Sequence, residues 1–106
     1  MFELVRKITR PSPDIEFFSI RTCKDIPPEA LDYFAETYKN TGKRISDTRT
    51  LSDDRLTETV VEIWDSRESY LEYLCDAYID DNITAHAKEY VRKHGIKYET
   101  LSAKEI

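Results

Sequence analysis

Along Phe2 to Thr9, FELVRKIT, side chains alternate: Phe2, Leu4, Arg6 and Ile8 point one way, and Glu3, Val5, Lys7 and Thr9 the other. That period of two predicts a strand. Arg10-Pro11-Ser12-Pro13-Asp14 interrupts it, because two prolines supply no amide donors and favour extended or turn backbone. Ile15 to Ile20, IEFFSI, is apolar again, either continuing past a bend or returning as a short strand. Pro27 and Pro28 then open a helix, since proline suits the first turn and Glu29 and Asp32 suit the positive end of the helix dipole. Leu31, Phe34, Ala35 and Tyr38 follow at i, i+3, i+4 and i+7, one buried stripe. Gly42 ends the helix as a left-handed cap, so it spans about Pro28 to Thr41.

Arg44 to Leu51 and Leu56 to Trp64 are extended runs joined by Ser52-Asp53-Asp54-Arg55, a hairpin-length loop of turn formers. The second run places Val60 and Trp64 on one face and Val61 and Ile63 on the other, so both faces need cover. Asp65 followed by Glu68 reads as a capping box opening a second helix with the stripe Tyr70, Leu71, Leu74, Ala77 and Tyr78. Asp80-Asp81-Asn82 offers a break and a fresh cap before Ile83, Ala87, Tyr90, Val91 and His94, with Gly95 as the C-cap. Ile96 to Leu101 is a final strand, and Ser102 to Ile106 reads as a tail. Strand, helix, strand, strand, helix, strand is the split βαβ, ferredoxin-like plan: an α+β domain with helices on one face of a four-stranded antiparallel sheet. With one face left bare, the expectation is a homodimer joined through it, Val60 and Trp64 towards the partner and Val61 and Ile63 towards the helices.

A chain of 106 residues fits a single domain, residues 1–106. Its 40% hydrophobic residues can fill a core, while 35% charged residues and a mean hydropathy of -0.63 place the remainder in water. A net charge of -5 opposes nucleic-acid binding, and Lys88, Arg92 and Lys93 read as a solvated helix face. No run approaches the ~20 apolar residues of a membrane helix, and MFELVRKITR lacks a signal-peptide core, so a cytoplasmic protein without a membrane partner is expected. Cys23 and Cys75 have no metal-ligand spacing and read as structural thiols.

At VVEIWDSRESYLEYL the sequence resembles the antibiotic-biosynthesis monooxygenase-like superfamily, in which a strand ending in Trp runs into a capped, aromatic-rich helix. The resemblance covers about Gly42 to Leu101. It implies a dimeric α/β barrel, two sheets packed face to face, and either cofactor-independent oxygenation of quinol-like aromatics or haem degradation. Haem-degrading members are similar in carrying a Trp about nine residues after the strand Trp, a His about ten residues later and an Asn on the first strand. Here those positions hold Tyr73 and, near the His, Ile83, while FELVRKIT has no Asn. The departures predict a protein that binds no haem.

Candidate chemistry is sparse. His86 and Glu89, with Tyr90 and His94 near them, make a conceivable acid/base or metal group on the last helix, and His86 and Tyr73 are the catalytic candidates. A His in the last turn also suits the helix dipole, so no metal is expected. Trp64 reads as packing. Tyr70, Tyr73, Tyr78 and Tyr98 are candidates to line an aromatic pocket between sheet and helices. Asp53-Asp54 and Asp80-Asp81 read as a turn and a cap, and the two glycines leave none for a phosphate loop. The sequence therefore points to a small homodimeric binding or structural protein without a cofactor; the alternative is a cofactor-independent monooxygenase-like enzyme acting on a small aromatic or quinol.

Overall fold

The computed structural model describes residues 1–106. Strands β1 (Phe2–Thr9), β2 (Arg44–Leu51), β3 (Thr57–Trp64) and β4 (Lys97–Glu105) form one sheet in the order β2-β3-β1-β4, every neighbouring pair antiparallel. Between β1 and β2 lies α1 (Pro28–Phe34), continued by a wider π-type turn, Ala35–Lys39. Between β3 and β4 lie α2 (Arg67–Leu74), α3 (Ala77–Ile79), a π-type stretch (Asp80–Thr84) and α4 (Ala85–His94). This is the ferredoxin-like α+β plan that the element order predicts. Gly95 caps α4 at φ +67°, backbone that side chains with a Cβ rarely adopt, whereas the first helical run ends at Asn40 in right-handed backbone (φ -70°) and Gly42, expected as its cap, lies in the turn beyond at φ +79°.

The molecule measures 36 × 33 × 18 Å. A thickness of 18 Å holds one sheet and one helical layer, so the other sheet face has no cover within the chain. Phe2, Leu4 and Trp64 pack with Ala30, Phe34, Tyr38, Ile79 and Ile83 in the main core; Ile8, Val60 and Ile96 form a smaller cluster. Val60 and Trp64 therefore face the helices, and Val61 and Ile63 the bare side, the reverse of the expectation. The cause is register: Phe2 pairs with Trp64 and Arg6 with Val60, which puts Trp64 and Val60 on the same side as Phe2, Leu4 and Ile8. Trp64 is 0% exposed, ringed by Tyr38, Tyr70 and Tyr73 at centroid distances of 5.3–6.2 Å.

Several local expectations shift. The cap of α2 is Ser66, whose Oγ accepts from the Ser69 amide at 3.1 Å, rather than Asp65. The helical run breaks at Cys75-Asp76 instead of Asp80–Asn82, because the Asp76 carboxylate accepts from the Tyr78 and Ile79 amides and starts α3 there. Within α2 it is Tyr70 and Tyr73 that pack on the core around Trp64, so Leu71 and Leu74 of the expected stripe are exposed, as is Tyr78 beyond the break. Residues 10–27 form no return strand. They are clamped by Arg10, which donates to the carbonyls of Arg55 and Ile15 at 2.8 and 2.9 Å and stacks over Phe17. The supposed tail, Ser102 to Glu105, completes β4 by pairing with β1 past a register shift at Val5/Arg6.

Candidate functional site

The two core clusters leave space between them. The helices pack most closely over the Phe2–Trp64 end of the sheet, whereas the Ile8–Val60 end is roofed by α4 and the loop after β1. The result is an open cavity of about 1190 Å³ on the helix side of the sheet. Ile8 and Val60 line it from below, Ile83 and Val91 from the helices, and Phe17 and Phe18 from the loop.

Its floor is polar because charged residues occupy sheet positions on the core-facing side. Three rows cross the sheet there: Leu4, Glu62 and Asp47; Arg6, Val60 and Arg49; Ile8, Glu58 and Leu51. Ion pairs connect these rows diagonally, as neighbouring strands allow. Arg6 Nη1 lies 2.9 Å from Glu62 Oε2, and Arg49 Nη1 lies 2.8 Å from Glu58 Oε1. Arg44 Nη2 meets Asp47 at 2.6 Å. Glu62, buried, also accepts from the Trp64 indole at 3.3 Å, and Arg6 Nη2 donates to Tyr70 Oη at 3.0 Å. A buried carboxylate is tolerable only with such partners. Arg44 Nε is buried 3.8 Å from Glu62 Oε1 and makes no hydrogen bond. Burial pushes the Tyr73 phenol above its ordinary pKa, Glu62 adds to the rise, and Arg44 and Arg6 oppose it; Tyr73 is therefore a neutral donor near pH 7.

Of the four tyrosines suggested by the sequence, Tyr73 and Tyr98 line this cavity. Tyr70 is packed against Phe2 and Trp64, and Tyr78 lies outside against Tyr33 at 4.5 Å. His86 is separated from Tyr73. It lines a second cleft, about 440 Å³, with Glu89, Tyr90 and His94 against residues 16–25. Tyr90 fixes that loop by donating to the Glu16 carbonyl at 2.6 Å. No three His, Cys, Asp or Glu side chains converge as a metal site. Ile83, near the position of the haem ligand in the resembling family, lines the main cavity with no donor atom, and His86 lies in the other cleft. The floor residues Arg6, Arg44, Arg49, Glu58 and Glu62 escape motif reading, and the trace they leave is a charge among the core-facing positions of two strands, Arg6 in FELVRKIT and Glu58 and Glu62 in TETVVEIW.

The architecture belongs to the ferredoxin-like α+β class, and solved structures share it. A dimeric ferredoxin-like protein from an uncultured marine organism matches 100% of this chain and 94% of its own, at TM-score 0.57 and 14% identity. SnoaB, a cofactor-independent oxygenase from Streptomyces nogalater, matches 99% of this chain and 94% of its own at TM-score 0.54 and 11% identity. A mutant of the same oxygenase gives TM-score 0.55. At these identities the shared property is the fold. No family model matches the chain, and no curated protein sequence does.

Proposed function

We propose that the protein is a homodimer that binds a small, ring-bearing molecule in the cavity between sheet and helices. The observation that carries this reading is the cavity itself: an open space of about 1190 Å³ with aromatic and aliphatic walls over a floor of fixed polar groups. Walls of that kind supply affinity and the few polar groups supply orientation. Support for a dimer comes from the bare sheet face, where half-buried Val5, Val61 and Ile63 lie among Thr, Ser, Glu and Lys side chains, an apolar centre with a polar rim. One fold neighbour is described as dimeric.

A second reading, cofactor-independent oxygenation of the bound ring, is favoured by the fold shared with SnoaB over 99% of this chain. It is an analogy of fold. Thermal shift against a panel of quinols, aromatic acids and aliphatic controls tests the binding reading. Ring compounds are expected to raise the melting temperature of the native protein and not that of Ala87→Trp, which fills the cavity wall. A panel in which no compound does so contradicts it. Oxygen uptake on adding a quinol that binds separates the enzyme from the binding protein.

A further inference from the structure

We infer that the molecule bound in this cavity is an aromatic carboxylic acid, held by its carboxylate over Val60 between Arg6 and Arg49. The inference rests on the reading of the cavity as a ligand site and goes on to name the ligand's charged group. Over the whole chain 21 acidic residues outnumber 16 basic ones. Around the cavity the order inverts: Arg6, Arg21, Lys39, Arg44, Arg49 and Lys88 line it against Asp47, Glu58 and Glu62. All three acids are already engaged in ion pairs, with Arg44, Arg49 and Arg6 respectively. Arg21, Lys39 and Lys88, from the loop, the end of the first helical run and α4, make no ion pair. A protein that is acidic overall thus surrounds this space with surplus positive charge, which draws in anions and disfavours cations.

The geometry narrows the anion. Arg6 and Arg49 both pair with Val60 across the sheet, so they stand on its two sides in one row, roughly 10 Å apart at the backbone. Each guanidinium has five N–H donors. Arg6 commits two, to Glu62 and Tyr70, and Arg49 two, to Glu58 and Asp47. Their side chains are 27% and 46% exposed, so further donors are open to the cavity. Planar donors on both sides of a short aliphatic platform match a planar carboxylate. A phosphate site built from backbone amides is absent here, since neither glycine lines the cavity and no Gly-rich turn borders it. Phe17, Phe18 and Tyr73 then leave the rest of the ligand a flat apolar body.

Calorimetric titration with 2-naphthoic acid, 2-naphthamide and 2-naphthyl phosphate tests the assignment. The acid is expected to bind about tenfold more tightly than the amide, the scale of a hydrogen-bonded charge. Arg49→Gln should weaken the acid about tenfold and leave the amide unchanged, while raised salt weakens the acid alone. Lys39→Gln, at an exposed residue without a partner, should weaken the acid to a smaller degree with no effect on folding. Equal binding of acid and amide, or an Arg49→Gln protein that binds the acid as well as the native one, overturns the carboxylate while sparing the cavity as a ligand site. Tighter binding of the phosphate ester overturns the choice of anion. Failure of all three compounds, together with a silent thermal-shift panel, overturns both readings.

Discussion

Asp76 holds the first helical run to the second. Its Oδ2 accepts from the hydroxyls of Tyr33 and Tyr38 at 2.7 and 2.5 Å, and its Oδ1 accepts from the Tyr78 and Ile79 amides at 3.0 and 3.3 Å. Partial burial works against the charge, yet these hydrogen bonds outweigh it and hold the carboxyl below its ordinary pKa. A proton then binds the folded chain more weakly than the unfolded one, so the stabilisation is complete above the unfolded value, about 3.9, and is lost as pH falls through the folded value. Acid unfolding of the native protein should therefore be steeper below about pH 4 than that of Asp76→Asn; parallel curves in chemical denaturation at a series of pH values would contradict this. Nothing in the sequence marks Asp76, because its phenol partners lie 43 and 38 residues away. Ser66 differs in this respect: the cap of α2 is legible to within one residue, and only the competition between adjacent Asp65 and Ser66 is decided by the backbone. Ser66→Ala is expected to cost about 1 kcal/mol and Asp65→Ala less than about 0.5 kcal/mol, measured by urea denaturation.

At the scale of elements, alternation and helix punctuation carry most of the fold. FELVRKIT, the hairpin around Ser52–Arg55, and Gly95 are local signals, and the structure places a strand, a hairpin and a helix end there, while Gly42 falls two residues past the Asn40 cap of the first helical run. Three things were beyond local reading. The polar run after Leu101 joins β4 only because β1 offers it backbone partners. The helix stripe through Leu71, Leu74 and Tyr78 stays exposed because α2 turns Tyr70 and Tyr73 to the core instead. The hand of β3 depends on pairing with Phe2, and a shift of one residue exchanges its faces. The cavity was half legible: Tyr73 and Tyr98 are on it, while the charged floor emerges only when three strands are aligned. The face assignment has a direct test. Trp64, 0% exposed on the same face as Val60, should not tolerate a charge in place of its ring, so Trp64→Asp is expected to unfold the chain; Val61→Asp, on the bare face, should keep a native circular-dichroism spectrum. The opposite ranking would reverse the faces once more.

The whole molecule is a two-layer plate 18 Å thick with a ligand-sized space on one side and an uncovered sheet on the other. If two such sheets cover each other, light scattering of the native protein should give twice the chain mass of 12.5 kDa, and Val61→Asp should give the single-chain mass. A native mass of 12.5 kDa would contradict the dimer and leave the cavity untouched. The cavity between sheet and helices is the proposed ligand site. It is tested most directly by following backbone amide resonances while an aromatic acid is added to labelled native protein. Saturable shifts are expected, grouped at Arg6, Ile8, Arg49, Val60, Tyr73 and Ile83. Shifts grouped at His86 and His94 in the other cleft, or at Val61 and Ile63 on the bare face, with the cavity residues unmoved, would contradict it.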